Sequence, residues 1–129
     1  MGPSHMDMTS SVLAHGECMR VSGLLARIGD RWTLPVIVTL HDGPLRFNQV
    51  RRAVGGISQQ MLTRTLRTLE RDGMVGRTVH PTVPPQVEYA LTPLGRSLAA
   101  EGLRLGGWVR DHIAEIDGHR SAFDRRQEG

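Results

Sequence analysis

The stretch GGISQQMLTRTLRTLERDG, residues 55–73, constrains the fold most, because both ends of one helix can be located in it. Ser58 is a favourable N-cap residue, since its hydroxyl can accept a hydrogen bond from a free backbone N–H of the first turn. Gly73 readily adopts the left-handed conformation that commonly ends a helix. The stretch therefore predicts a short helix over residues 59–71.

The residues of this helix divide into two halves on a helical wheel. The half expected to pack inward contains Met61, Leu62, Thr65, Leu66, Thr68 and Leu69. The half expected to face outward contains Gln60, Thr63, Arg64, Arg67 and Arg71.

A second helix is predicted immediately before this one. RFNQVRRAV places Phe47, Val50 and Val54 on one face, and Gly55 and Gly56 then interrupt the pattern. Two short helices joined by a tight glycine turn have the outline of a helix-turn-helix.

A period of two replaces the helical period after Gly73. In residues 75–80, Val75, Arg77 and Val79 alternate with Gly76, Thr78 and His80, and residues 86–91 alternate in the same way. PTVPP lies between the two runs. This pattern predicts a two-stranded hairpin with a proline-rich tip. Helix, turn, helix and hairpin in this order form a winged helix.

The segment DRWTLPVIVTL can be interpreted in two ways. Its run of β-branched residues from Val36 favours a strand. A helix is preferred because Pro35 fits a first helical turn, Asp30 or Thr33 could cap it, and HDGP then reads as a helix stop. Before this segment, CMRVSGLLARIG predicts a short amphipathic helix.

A long last helix is predicted from its cap, Thr92, and from Pro93 at its first position. So small a chain has few other elements that could pack against the apolar stripe of this helix, which indicates an interface with another molecule. Gly102 lies on this stripe, and Gly106 and Gly107 would allow another backbone to approach closely. The stripe consists of Leu94, Leu98, Leu105, Val109, Ile113 and Ile116.

Charge is distributed unevenly along the chain. All 16 basic residues are arginine, and residues 45–80 contain seven of them against two acidic residues. This clustering indicates a polyanionic partner. The outward residue types of the helix over residues 59–71 are those that read DNA, since Gln pairs with adenine, Arg with guanine, and Thr contacts the thymine methyl group.

Several other functions have little support. Cys18 is the sole cysteine, which excludes an intrachain disulfide and a cysteine zinc site. His112, Glu115 and His119 could face one metal ion, but a solvated helix face is favoured, so no metal or cofactor is expected. No catalytic motif has recognisable spacing, so no enzyme activity is expected. No apolar run is long enough to span a membrane, and a cytoplasmic location is expected.

The motifs RWTLPVI, GPLRFNQV, GISQQMLTRTLRTLERDG and VPPQVEYALTPLGRSL, followed by Trp108, together resemble the HxlR family of bacterial winged helix-turn-helix transcriptional regulators, relatives of the MarR group. The resemblance covers about residues 18–108. It implies a mainly helical α+β fold, a winged helix-turn-helix with added N- and C-terminal dimerisation helices. It also implies a homodimer that binds double-stranded DNA at a pseudo-palindromic operator, whose half-sites are about one helical turn apart or more.

The residue pattern and the resemblance together give two sets of expected contact residues. The dimer interface is expected to contain Leu98, Leu105, Trp108, Val109, Ile113 and Ile116. DNA contacts are expected from Arg46, Arg51, Arg52, Ser58, Gln59, Gln60, Thr63, Arg64, Arg67, Arg71, Arg77, His80 and Gln86. Family members often carry a basic residue at the position of Gln86, so the wing is expected to contribute weakly here.

The resemblance also implies a role for Cys18. Several relatives use a cysteine near the start of the first helix to sense oxidants or electrophiles, and Cys18 matches that position. The alternative is a half-buried thiol without a regulatory role. A small-molecule or electrophile effector is therefore a possible further partner.

The chain is expected to divide as follows. Residues 1–6, MGPSHM, look like a remnant of an expression tag. Residues 7–17 form an N-terminal segment, 18–92 the winged helix-turn-helix domain, 93–117 the C-terminal dimerisation helix, and 118–129 a polar, flexible tail. The main functional hypothesis is an effector- or redox-responsive regulator. A winged-helix module for nonspecific nucleic-acid or protein–protein binding is the alternative.

Overall fold

The structure is a computed structural model that describes residues 15–128, and its architecture is a winged helix-turn-helix. The predicted mainly helical α+β class is confirmed. The elements follow one another as α1 His15–Ile28, α2 Thr33–Thr39, a 3-10 turn Leu40–Asp42, β1 Leu45–Arg46, α3 Phe47–Val54, α4 Gln59–Arg71, β2 Val75–His80, β3 Gln86–Leu91 and α5 Pro93–Glu128.

The core lies where the apolar faces of α2, α3 and α4 meet the sheet and the start of α5. Ile37, Val50 and Leu62 are completely buried, and Ala99 of α5 closes the cluster. We call residues 33–99 the winged body. We call α1, together with the part of α5 beyond Ala99, the outer helices.

The predicted hairpin is present, and a third strand joins it. The antiparallel strands have the order β1-β3-β2, with Val75 opposite Leu91 and Leu45 opposite Tyr89. Strand β1 was not predicted, because two residues are too short to show a periodic pattern. It exists because its backbone pairs with a strand about 40 residues later in the chain.

The ambiguous segment before this sheet is a helix, as preferred from the sequence. Asp30 Oδ1 accepts hydrogen bonds from the backbone N–H groups of Trp32 and Thr33, both at 2.8 Å. These bonds satisfy N–H groups at the helix start, where no intrahelical partner exists. Tertiary burial of Val36 and Ile37 then outweighs their β propensity.

The predicted limits of α4 are confirmed. Ser58 Oγ accepts a hydrogen bond from the Met61 N–H at 3.1 Å, and Gly73 has a φ of 78°. At the start of α5, Thr92 Oγ1 accepts a hydrogen bond from the Gly95 N–H at 3.1 Å. The local cap chemistry therefore fixes both helix starts.

The prediction that the last helix ends near residue 117 is wrong, because α5 continues to Glu128. The expected flexible tail was inferred from polarity, but most residues after Gly118 are tolerated well in helices. Arg125 and Arg126 lie in the last turn, where positive charge complements the helix dipole. The predicted tag remnant and most of the segment 7–17 lie outside the described residues.

Candidate nucleic-acid interface

The outward face of α4 carries the polar residues that the sequence assigned to it. Gln60, Thr63, Arg64, Arg67 and Arg71 are all exposed. The opposite face buries Leu62, Thr65, Leu66 and Leu69 in the core. Burial of one face therefore fixes the direction in which the other face points.

The arginines on this face are available to an external anion. Among residues 17–128, no carboxylate forms an ion pair with Arg64, Arg67 or Arg71. The acidic residue of α4, Glu70, instead lies 4.0 Å from Arg77 of the wing. The exposed face of α4 therefore carries positive charge that no carboxylate of the described residues pairs with.

Thr63 has an internal hydrogen bond that limits what it can offer to a partner. Its hydroxyl donates to the Gln59 carbonyl at 2.9 Å. Because the hydroxyl hydrogen is used within the helix, the methyl group becomes the more distinctive feature that Thr63 presents to solvent. Gln59 itself is exposed at the first position of the helix.

The turn between α3 and α4 is fixed by glycine and by an arginine. Gly55 and Gly56 have φ angles of 74° and 77°, a region that side chains with a Cβ rarely adopt. Arg51 Nε donates to the Ile57 carbonyl at 3.2 Å, across the turn. Arg51, expected to contact DNA, therefore also braces the turn that sets the angle between the two helices.

Asn48 was missed by the sequence analysis. It lines two surface concavities, and Arg52 lines both of them as well. Ser58 lines the first concavity, and Arg46 and Gln86 line the second. The i, i+4 spacing of Asn48 and Arg52 on one exposed helix face is the signal that could have identified Asn48.

The wing offers less free charge than α4. His80 Nε2 lies 3.3 Å from Glu88 Oε1, and Arg77 faces Glu70. Gln86 is half-buried, and the tip residue Val83 is fully exposed. The wing residues expected to contact DNA are therefore in place, but their own acidic neighbours compete for two of them.

The outer helices expose an apolar surface. Leu98, one of the expected interface residues, instead packs against the core of the winged body. Ile116 is half-buried. The side chains that are between 41% and 78% exposed include Met19, Leu24 and Leu25 on α1 and Leu105, Trp108, Val109 and Ile113 on α5.

The glycines of α5 differ in their surroundings. A Cβ on Gly102 would lie 3.2 Å from Leu34 Cδ2 and 3.3 Å from Val38 Cγ2, so this glycine allows α2 and α5 to pack closely. Among the residues that the structure describes, nothing lies within 4 Å of a Cβ built on Gly106. Gly106 and Gly107 line an apolar groove between α2 and α5, which is open to solvent.

Cys18 is a half-buried free thiol in the first turn of α1.

On α5, the His112 ring stacks on Trp108 with centroids 4.4 Å apart, and His112 Nδ1 lies 2.7 Å from the Trp108 carbonyl. His119 Nε2 lies 3.8 Å from Glu115 Oε2. Within residues 15–128, no group of three or more His, Cys, Asp or Glu side chains is arranged to bind a metal ion.

Comparison with known proteins gives consistent matches. A family model described as HxlR-like helix-turn-helix matches residues 27–117. The HTH-type transcriptional regulator YtfH of Escherichia coli (strain K12) is 39% identical over 93 residues, which is 72% of this chain and 74% of that protein.

Two solved structures show the same fold. YtfH from Salmonella typhimurium has a TM-score of 0.72 at 37% identity, covering 78% of this chain and 90% of that one. The redox regulator HypR in its reduced form has a TM-score of 0.71 at 39% identity, covering 77% of this chain and 98% of that one. In the part of the chain from residue 15 to 128, no helix is both long and apolar enough to cross a membrane.

Proposed function

Because the chain belongs to the HxlR-like helix-turn-helix family, whose matched relatives are transcriptional regulators, we propose that it binds a pseudo-palindromic DNA operator as a homodimer. The observation that carries this proposal is the exposed face of α4, whose three arginines form no ion pair with the carboxylates of residues 17–128. The α4 helix of each copy enters a major groove of the DNA. We place this DNA binding in the cytoplasm.

The residues of the site divide their roles by position. Gln59, Gln60 and Arg64 lie toward the N-terminal end of α4, the end that contacts base edges in helix-turn-helix proteins. Arg71 lies at the other end and contacts phosphate. Arg46, Asn48 and Arg52 follow the DNA backbone beside α3 and fix the register of the protein on the duplex.

Thr63 reads a thymine through its methyl group. Its hydroxyl hydrogen is already bonded to the Gln59 carbonyl, which favours an apolar contact over a hydrogen bond to a base. In an operator that contains the contacted thymine, replacing that base with deoxyuridine should weaken wild-type binding. The same replacement should have little effect on Thr63→Ser, which lacks the methyl group.

The outer helices supply the contact between the two copies. Their exposed apolar side chains on α1 and α5 would be costly in water as a continuous surface, and a second copy would remove them from it. Two recognition helices related by two-fold symmetry would then match two half-sites.

Selection of bound sequences from random DNA, followed by fluorescence anisotropy on the selected operator, tests the proposal. Arg64→Ala should cost about 1–3 kcal/mol of binding free energy and relax the preference at one base position. Arg120→Ala, an exposed arginine of α5 outside the site, is the matched control. Binding that ignores sequence and depends only on salt would favour the nonspecific module instead.

Redox control through Cys18 is a second part of the proposal. It is supported by the position of the half-buried thiol in the first turn of α1 and by the likeness to a protein named as a redox regulator. Two Cys18 thiols, one from each copy, would be oxidised by peroxide to a disulfide, with the peroxide reduced to two waters. A Cys18→Ser variant whose DNA binding still responds to peroxide would contradict this part alone.

A further inference from the structure

The C-terminal end of the recognition helix α4 contacts both the last turn of α1 and the start of α5. Asp72, the C-cap residue of α4, lies 3.1 Å from Arg27 Nη1 through Oδ2 and 3.4 Å through Oδ1. Arg27 is in the last turn of α1, 45 positions earlier in the sequence. The ion pair therefore links a helix of the proposed dimer contact to a helix of the proposed DNA contact.

The attachment of α1 to the winged body is otherwise shallow. Met19 and Leu25 are 78% and 59% exposed, and only the stripe containing Val21 and Ile28 is half-buried. Within residues 17–128, the Arg27–Asp72 pair provides the side-chain hydrogen bonds and the ion pair that join α1 to another element. Arg27 and Asp72 thus form the polar contact that ties α1 to the end of α4.

The start of α5 is attached to the same end of α4 much more firmly. The Thr92 hydroxyl donates to the Gly73 carbonyl at 2.6 Å, and the Thr92 N–H donates to the Met74 carbonyl at 3.1 Å. A Cβ on Gly95 would overlap the Met74 carbonyl oxygen, so α5 packs directly on this backbone. One side of the junction is therefore closely packed, whereas the side formed by Arg27 and Asp72 is an exposed ion pair.

We propose that Arg27 is a positioning residue for DNA binding, which acts through Asp72 to set the angle between α1 and the recognition helix. This inference rests on the proposed function, in which a second copy contacts α1. Because the two copies meet at α1, that angle determines the separation of the two recognition helices. Arg27 therefore controls which spacing of half-sites the dimer accepts, and it does not control which bases each half-site contains.

The first test compares operators that share the selected half-sites but differ by one or two base pairs in the spacer. Arg27→Asp and Asp72→Arg should each reduce the preference for the wild-type spacing by about 2- to 30-fold, the range expected for coupling through a contact of this kind. The double variant Arg27→Asp with Asp72→Arg should restore the preference. Arg20→Asp, which makes the same charge change on an exposed position of α1, should leave it unchanged.

A merely structural role would give a different result. Exposed ion pairs contribute little to stability, so the single variants should unfold at the wild-type temperature while their spacing preference changes. If Arg27→Asp behaves like Arg20→Asp, or if the double variant does not recover, the inference is wrong.

A second test needs no DNA and separates this inference from the proposed function. Spin labels at Gln60→Cys in a Cys18→Ser background report the distance between the two recognition helices by pulsed electron resonance. The distance distribution should broaden or shift in Arg27→Asp and should narrow again in the double variant. Wild-type protein that binds no specific sequence would contradict the proposed function, whereas an unchanged distance distribution in Arg27→Asp would contradict the inference.

Discussion

The winged body and the outer helices differ in how far their apolar side chains are buried. In the body, Ile37 and Leu62 are completely buried by neighbours from the same chain. On the outer helices, Leu25, Trp108 and Ile113 are more than half exposed. Apolar burial is the main favourable term in folding. The body buries its apolar side chains within the chain, whereas the outer helices leave many of theirs exposed.

Glycine shows the same difference. In the body, Gly95 is required by the chain itself, since a Cβ there would overlap the Met74 carbonyl oxygen. In the outer helices, a Cβ on Gly106 would meet no atom of the described residues within 4 Å, so their packing does not require glycine there, although glycine lowers helix propensity. Matched substitutions in the two regions should therefore have different, and in one case opposite, effects on folding.

The largest difference is expected for leucine truncation. Leu62→Ala should lower the free energy of unfolding by about 2–5 kcal/mol, because it leaves a cavity in the packed core. Leu105→Ala, at a position that is 54% exposed, should cost much less at a protein concentration where copies are separate. Chemical denaturation measures both, and equal losses would show that the outer helices are part of the core.

The association of copies should respond to a charge on the apolar face of α5. Ile113→Asp should weaken self-association by about 30-fold or more, equivalent to the loss of one interface hot spot of about 2 kcal/mol. Ala114→Asp adds the same charge at the next exposed position and should have a small effect. Analytical ultracentrifugation over a range of protein concentrations measures the association constant of each variant. If both variants associate as the wild type does, α5 is not the interface.

An added methyl group should be damaging in the body. Gly95→Ala should destabilise the chain by about 1–3 kcal/mol, since backbone at Met74 must move to accept the Cβ. The loss should appear as a lower midpoint in chemical denaturation. An unchanged midpoint would mean that the contact between α5 and the turn after α4 is looser than its geometry indicates.

The same change in the outer helices should have the smallest effect on folding. Gly106→Ala should stabilise the separate chain by up to about 1 kcal/mol, because alanine is the better helix former. If the backbone of a second copy approaches α5 at Gly106, this variant should also weaken association. A stabilised variant with normal association would place the contact elsewhere on the outer helices.

The sequence by itself determined the features that depend on neighbouring residues. The cap at Ser58, the glycine turn and the division of α4 into two faces are all short-range signals, and the structure confirms each of them. Helix α2 was also predicted, because the signals for its first turn, Asp30 and Pro35, lie close together in the sequence. The polar face of the candidate site follows from the same local pattern.

Only the tertiary structure decided the features that join distant parts of the chain. The pairing of Leu45 with Tyr89, the packing of Leu98 on the core and the contact between Arg27 and Asp72 have no local signature. The bond from Arg51 to the Ile57 carbonyl likewise depends on the shape of the turn once it is folded. Such contacts depend on which faces meet after the helices and strands pack, and that arrangement is set by burial of the whole core.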